Sequence, residues 1–465
     1  MVVGIGSMTL PQTFAKIGII LTVAVIVVLA FFSYISATYV LEAMANTNAI
    51  LRAEKEQNLL NGEAESEEAS AEEKEMENSI NSVKLDIDGI TSPYKLKTRI
   101  EYSKMANLYF SDGFKLFFTL IFCFYFLGDL AIYTVGAPNT LQQWVDFEMD
   151  FMGMHLTDMA LQRFFLIAFA IIVVPLCLAD MQNTKILQII TLGLRLVAFY
   201  TMIILGALHV MGGRTGGMTH VPMWDFKNVG AVLGSTVYSF MSHHSLPSML
   251  TPIKAKNKSK TTKKTLLADF FTIGISYILL SSTAMLAFSD PNLPDHCELR
   301  GTKACKIQDL YFKNFASYDN VFIDYFMLGF PLIVFVTIWP MIAITLRNNI
   351  DQLLPKLKPK LEKMRKPICV ALAILPPLTI GWFTNNVTIL VRFTGGLCGV
   401  FIMFTFPAFF VKNSREKCEE LNIVGKNEYK SFFQSKFWIN AVLGWSGLMF
   451  LTNVWLLIKF FINGE

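Results

Sequence analysis

Ten apolar runs recur along these 465 residues, each near the roughly 20 residues a helix needs to cross a bilayer core. They fall at 17–45, 114–138, 163–179, 186–211, 229–250, 266–288, 321–346, 368–383, 389–411 and 437–461, behind a shorter apolar stretch at 1–14. A lipid-embedded backbone must satisfy its own polar groups, so such a chain is confined to helices or a closed barrel, and runs of this length select helices. With 53% hydrophobic residues and 40 phenylalanines, a soluble domain is excluded. The expectation is an all-α polytopic membrane protein forming one transmembrane domain over 1–465. The first long run is too long for a signal-peptide core and lacks its flanks, so targeting comes from a span itself.

Charge orients the spans. Lys254, Lys256, Lys258, Lys260, Lys263 and Lys264 crowd one loop, Arg347 to Lys366 another, and Lys412 to Lys436 a third. The loop after the second run has no Lys or Arg and carries Asp146, Glu148, Asp150 and Asp158. Basic loops are therefore expected to be cytoplasmic. Residues 46–104 form the one long insertion, a cytoplasmic loop whose Glu-rich middle, NGEAESEEASAEEKEMEN, has the composition of a disordered segment. Residues 289–320 then lie outside or in a lumen, where Cys297 and Cys305 can form a disulfide.

Two of the apolar stretches are interrupted. Residues 238–247, YSFMSHHSLP, set serines and two histidines ahead of a proline inside a run of span length. VVGIGSMTLP at the start carries Gly4, Gly6, Ser7 and Pro11. Polar breaks at membrane depth survive only against protein or water, and paired breaks point to a secondary-transporter site. A proline kink that merely re-satisfies its own backbone is the plainer alternative.

Several polar residues stand inside spans. His243 and His244 suit proton transfer or simple hydrogen bonding, and their adjacency does not make a metal site. Asp129 and Arg195 fall at similar depth, where either charge alone is unfavourable by a few kcal/mol, about 2.5–3.5. A pair between them is expected, as a static bridge or as a gate or proton relay. Thr337 offers a hard oxygen to a sodium ion, or else bonds its own helix near Pro340. TGGLCG at 394–399 has the small residues of a close helix contact. Glu42, Asp269 and Arg392, near span ends, are ordinary if they snorkel.

GIGSMTLPQTFAKIG, YSFMSHHSLPSMLTP, GDLAIY around Asp129, the AITLRNN span end and the TGG…FPAFF span together resemble the transmembrane protein 104 family. That family is related to the amino acid/auxin permeases of the amino acid–polyamine–organocation transporters. The resemblance implies a bundle of about eleven spans in a five-plus-five inverted repeat, leucine-transporter-like, with the first span truncated here. It places substrate-binding groups at Gly4, Ile5, Gly6 and Ser7, and at Tyr238, Ser239, Phe240, Met241 and Ser242. Relatives carry a tail and half a helix before the GIG motif, so an incomplete start is expected.

The resulting expectation is a secondary active transporter of small amino acids, coupled to H+ or Na+, without other cofactors and without nucleic-acid partners. It would reside in the plasma membrane or an endosomal or lysosomal membrane. A non-transporting sensor or scaffold that recruits cytoplasmic proteins is the alternative. No nucleophile–base spacing, phosphate loop or metal cluster argues for an enzyme, and the span count conflicts with a seven-span receptor.

Overall fold

The computed structural model describes residues 4–60, 92–145, 150–151, 154–155, 158–178, 185–212, 221–295, 304–315, 320–354 and 359–463. The Glu-rich segment, Cys297 and the loop residues around it lie outside these.

Helix α1 (Ile5–Phe14) is followed by α2 (Ile19–Leu60), the short α3 (Tyr102–Tyr109), α4 (Asp112–Val145), α5 (Asp158–Leu178) and α6 (Lys185–Met211). Then come α7 (Val229–Phe240), the one-turn α8 (Leu246–Leu250), α9 (Lys258–Phe288), α10 (Val321–Leu353), α11 (Pro359–Phe383), α12 (Val387–Glu420) and α13 (Lys436–Asn463). A two-stranded ribbon pairs Asp150–Phe151 with Met154–His155. Among the described residues, nine helices are long and apolar enough to cross a membrane. They correspond to nine of the ten expected runs, and the tenth, 229–250, is the interrupted one. The expected polytopic helical architecture is what the chain adopts.

The perimeter is apolar because it faces hydrocarbon. Ile171 and Ile172 on α5, Ile189 on α6 and Leu451 on α13 are all more than half exposed. Phe165, Phe169 and Val173 of α5 are buried. The interior is lined by α1, α4, α7, α9, α10 and α12, and its largest fully buried side chains include Trp339, Tyr277, Phe240 and Phe404.

Two helices depart from expectation in length and winding. Helix α2 does not stop near residue 45 but runs to Leu60, 42 residues in all, so the start of the expected 46–104 loop is helical. Helix α12 is wound as a π-helix over Thr394–Gly399 and Phe401–Thr405. Ser36 of α2 donates to the Met403 carbonyl within that stretch, one of the outside donors that wide turns accommodate.

The two ends of the bundle differ. At the end carrying the basic loops, Glu42 is only 1% exposed and accepts two bonds from Arg415, both 2.8 Å, and one from the Ser431 backbone N–H at 2.8 Å. Near a span end, Glu42 is thus a buried ion-pair member, not a snorkelling charge. Residues 92–101 cross this end as a strap. Arg52 donates to the carbonyls of Pro93 and Lys95, Asn48 exchanges bonds with Thr98, and Lys258 donates to Leu96. The opposite end opens into a cavity of about 1020 Å³.

Candidate functional site

Helix α7 stops in mid-membrane for local reasons. Pro247 has no N–H to offer the His243 carbonyl, and its ring crowds that carbonyl, so a continuous helix is disfavoured there. Met241 is extended (ψ 103°) and Ser242 has φ −136°, after which His243–Ser245 makes one 3-10 turn into α8. Pro247 then sits in the first turn of α8, where a missing N–H does no harm. The break expected at 238–247 is present.

The N-terminal break meets it. A Cβ placed on Gly6 would lie 2.5 Å from Tyr238 Cδ1 and 3.0 Å from Ser239 Oγ, so only glycine allows this approach. Gly4 is extended ahead of α1, and its carbonyl accepts from the Ser7 hydroxyl at 2.7 Å and the Ser7 N–H at 3.1 Å. Helix α12 seals the other side. Gly395 abuts the Gly234 carbonyl and Tyr238, and a Cβ on Gly399 would come 2.9 Å from Met241 Cε. The 394–399 stretch is the close packing surface its small residues promise.

Within the break, Ser239 donates to Ser235 at 2.8 Å, while its own carbonyl accepts from the Tyr277 hydroxyl at 2.9 Å. Phe240 is fully buried with its ring 5.2 Å from that of Tyr277. His243 Nε2 faces the Ser33 carbonyl at 2.9 Å. A carbonyl can only accept, so Nε2 carries the proton and Nδ1 of a neutral ring is left as an acceptor. Ser242 Oγ, His243 Nδ1 and His244 Nδ1 are buried and have no hydrogen-bond partner among the described residues. Such a group is unfavourable by about 1–3 kcal/mol unless something binds it. Three such atoms lie together in this one break.

Asp129 is buried on α4 and accepts a short hydrogen bond from the Tyr238 hydroxyl. The expected Asp129–Arg195 ion pair is not formed among the described residues. Arg195 instead donates from Nε to the Thr191 carbonyl at 3.2 Å and lines a cavity of about 20 Å³ with Gly4, Ile5 and Phe335. Tyr133, buried one turn along α4 from Asp129, is near both charged groups. Asp129 and Arg195 therefore touch the two breaks separately. His244 packs against Phe122, Tyr125 and Phe126 beside Asp129's helix. Thr337 donates to the Ile333 and Val334 carbonyls at 2.8 and 3.0 Å, the local bonding weighed against a sodium site. Cys305 is buried and disulfide-bonded; Cys297, its expected partner, lies outside the described residues.

Tyr277, whose hydroxyl holds the Ser239 carbonyl near the end of α7, is not singled out by the sequence, and Arg392 was expected only to snorkel. The available signal was the same for both, a polar head inside an apolar run.

Residues 88–422 match the family described as transmembrane amino acid transporter protein. The chain is 31% identical to the transmembrane protein 104 homolog of Dictyostelium discoideum, over 98% of this chain and 95% of the relative. It is 32% identical to the Drosophila melanogaster homolog, covering 96% and 92%, and 30% identical to human transmembrane protein 104, covering 97% and 93%.

Proposed function

Since this chain belongs to the transmembrane amino acid transporter family and groups with transmembrane protein 104, we propose that it moves small amino acids across its membrane by proton-coupled secondary transport. The observation that carries the reading is the contact of the two breaks, with Gly6 against Tyr238 and Ser239. The Ile5 and Gly6 N–H groups open α1 with no intrahelical partner and no side-chain cap, which suits a substrate carboxylate. The unwound carbonyls at 240 and 241 suit the ammonium, and the Ser242 hydroxyl and the histidine Nδ1 atoms gain partners when the guest arrives. Phe240, wholly packed on Tyr277, supports the backbone and does not itself meet substrate.

Protons fit better than sodium as the coupling ion. Asp129 is a buried carboxyl bonded to a tyrosine of the break, so a change in its charge acts directly on the substrate-binding strand. The hydroxyl of Thr337 is already committed to its own helix. Cargo enters only when the break widens, because about 20 Å³ admits a water and not an amino acid. That tightness is also what favours the competing reading, a sensor or scaffold that transports nothing.

Uptake of labelled neutral amino acids into vesicles containing the purified protein separates the two. Accumulation driven by an imposed pH gradient, lost in Asp129→Asn while exchange of substrate persists, is the expected result. Silence under both proton and sodium gradients, from protein that unfolds at its normal temperature, would favour the scaffold.

A further inference from the structure

The cavity of about 1020 Å³ at the end away from the basic loops has a charge imbalance that its position does not require. Five lysines and one arginine line it, against Asp295 and Asp309. Those two acids are taken: Lys306 pairs with Asp295 at 2.8 Å and Lys313 with Asp309 at 3.0 Å. Beyond these pairs stand Lys16, Lys227, Lys459 and Arg392, and of these Arg392 and Lys16 lie close enough for one charge to act on the other. Neither side chain has a hydrogen bond or ion pair to the described residues, and Arg392 Nε is buried with no partner. An arginine that snorkels ends in water beyond its span, whereas this guanidinium stops in the cavity wall.

The fold brings these two like charges together. Gly18, at φ +88°, turns the chain sharply between α1 and α2, and the Ile19 and Ile20 N–H groups bond to the carbonyls of Pro222 and Met223. Asn228 reaches the Lys16 carbonyl at 3.5 Å, so the corner bearing Lys16 is held against the start of α7. On the other side, the backbone of Arg392 abuts Gly234, one turn before Tyr238. Burial, and then the Arg392 charge, hold the Lys16 ammonium below its ordinary value. Both perturbations would be relieved by one anion between the two groups.

We propose that Lys16 and Arg392 form a carboxylate-binding site in the open cavity, distinct from the break at 238–247. A guanidinium offers a planar fork of donors matched to a carboxylate, and an ammonium beside it adds a second charge-assisted bond. Gln12, whose Oε1 already accepts from Thr388, leaves its amide N–H groups for the same guest. The site lies about two to three turns from the Gly6 contact, roughly 9–15 Å at helical rise, so a solute held here has not entered the break. It rests on the cavity and its charges and does not depend on transport.

The test uses the full chain in lipid nanodiscs, titrated calorimetrically with sodium acetate, L-alanine, L-alaninamide and sodium chloride. Acetate and L-alanine bind; alaninamide, which lacks the carboxylate, and chloride, which cannot span a fork, do not. Arg392→Gln and Lys16→Gln each weaken acetate about tenfold, the equivalent of one charge-assisted bond. Arg392→Lys keeps the charge but not the fork and recovers part of the loss. Ser242→Leu, in the break, leaves acetate affinity intact. Equal acetate affinity in the wild type and both glutamine variants would overturn the proposal. So would chloride matching acetate, or loss of acetate binding in Ser242→Leu, which would put the anion in the central break.

Discussion

The two ends of the bundle handle buried charge in opposite ways. At the basic-loop end, Arg415 is matched to Glu42 through two bonds of 2.8 Å and also donates to the Gln434 carbonyl. Asn46 links Ser414 to Asn427, and Lys417 meets Glu54 at 2.7 Å. At the far end, Arg392 and Lys16 face a cavity with no acid assigned to either. A matched, desolvated pair holds helices together, because separating it exposes two charges to a medium that solvates them poorly. An unmatched pair holds nothing and instead attracts a mobile anion. The closed end is thus built to resist opening, and the open end to receive.

Removing the closed end's pairing should give the largest effect. Glu42→Ala leaves Arg415 buried without its carboxylate, and the unfolding free energy in detergent is expected to fall by about 3–5 kcal/mol. The double variant with Arg415→Ala should lose much less than the sum of the single changes. Additive losses would mean the contact is incidental. Next comes the meeting of the breaks. Gly6→Ala forces its Cβ into Tyr238, an overpacking worth about 1–3 kcal/mol, and should abolish uptake. Gly444→Ala on α13, with nothing within 4 Å of the added Cβ, should leave both stability and uptake close to normal. Equal damage from both would remove the contact from the argument. Smallest of all, Arg392→Gln at the open end should shift unfolding by no more than about 0.5 kcal/mol, since no partner is lost. A loss as large as that of Glu42→Ala would erase the contrast between the ends.

How much of this was legible follows from how far apart the interacting residues are in the chain. Spans are a local property: twenty apolar residues are visible wherever they occur, and nine of the expected runs are continuous membrane-length helices. The break in α7 was equally local, written in Pro247 and the serines before it. Partners were not. Glu42 and Arg415 lie 373 positions apart, and nothing in either neighbourhood announces the other. Asp129 was matched to Arg195 on charge and depth alone, whereas the rotation of α4 turns its carboxyl to the Tyr238 hydroxyl. The length of α2 escaped for a related reason. Its polar extension from 46 to 60 is supported by Pro93, Lys95 and Thr98, contacts supplied from the far side of the long insertion. The π-wound stretch of α12 likewise depends on a donor from α2.

The reach of α2 has a mechanical consequence. At 1.5 Å per residue its 42 residues extend about 63 Å, roughly twice the thickness of a bilayer's hydrocarbon. It therefore runs well past the hydrocarbon, and its extension is packed before it is solvated: residues 41–50 are buried, while Arg52 and Glu54 are held by the strap and by Lys417. Pivoting near the bilayer's middle, about 48 Å from the tip, through about 10° would carry that tip roughly 8 Å sideways along with the strap bound to it. The Glu-rich segment begins at that tip, so a rocking motion too slight to notice among the packed spans would arrive in the aqueous phase already magnified.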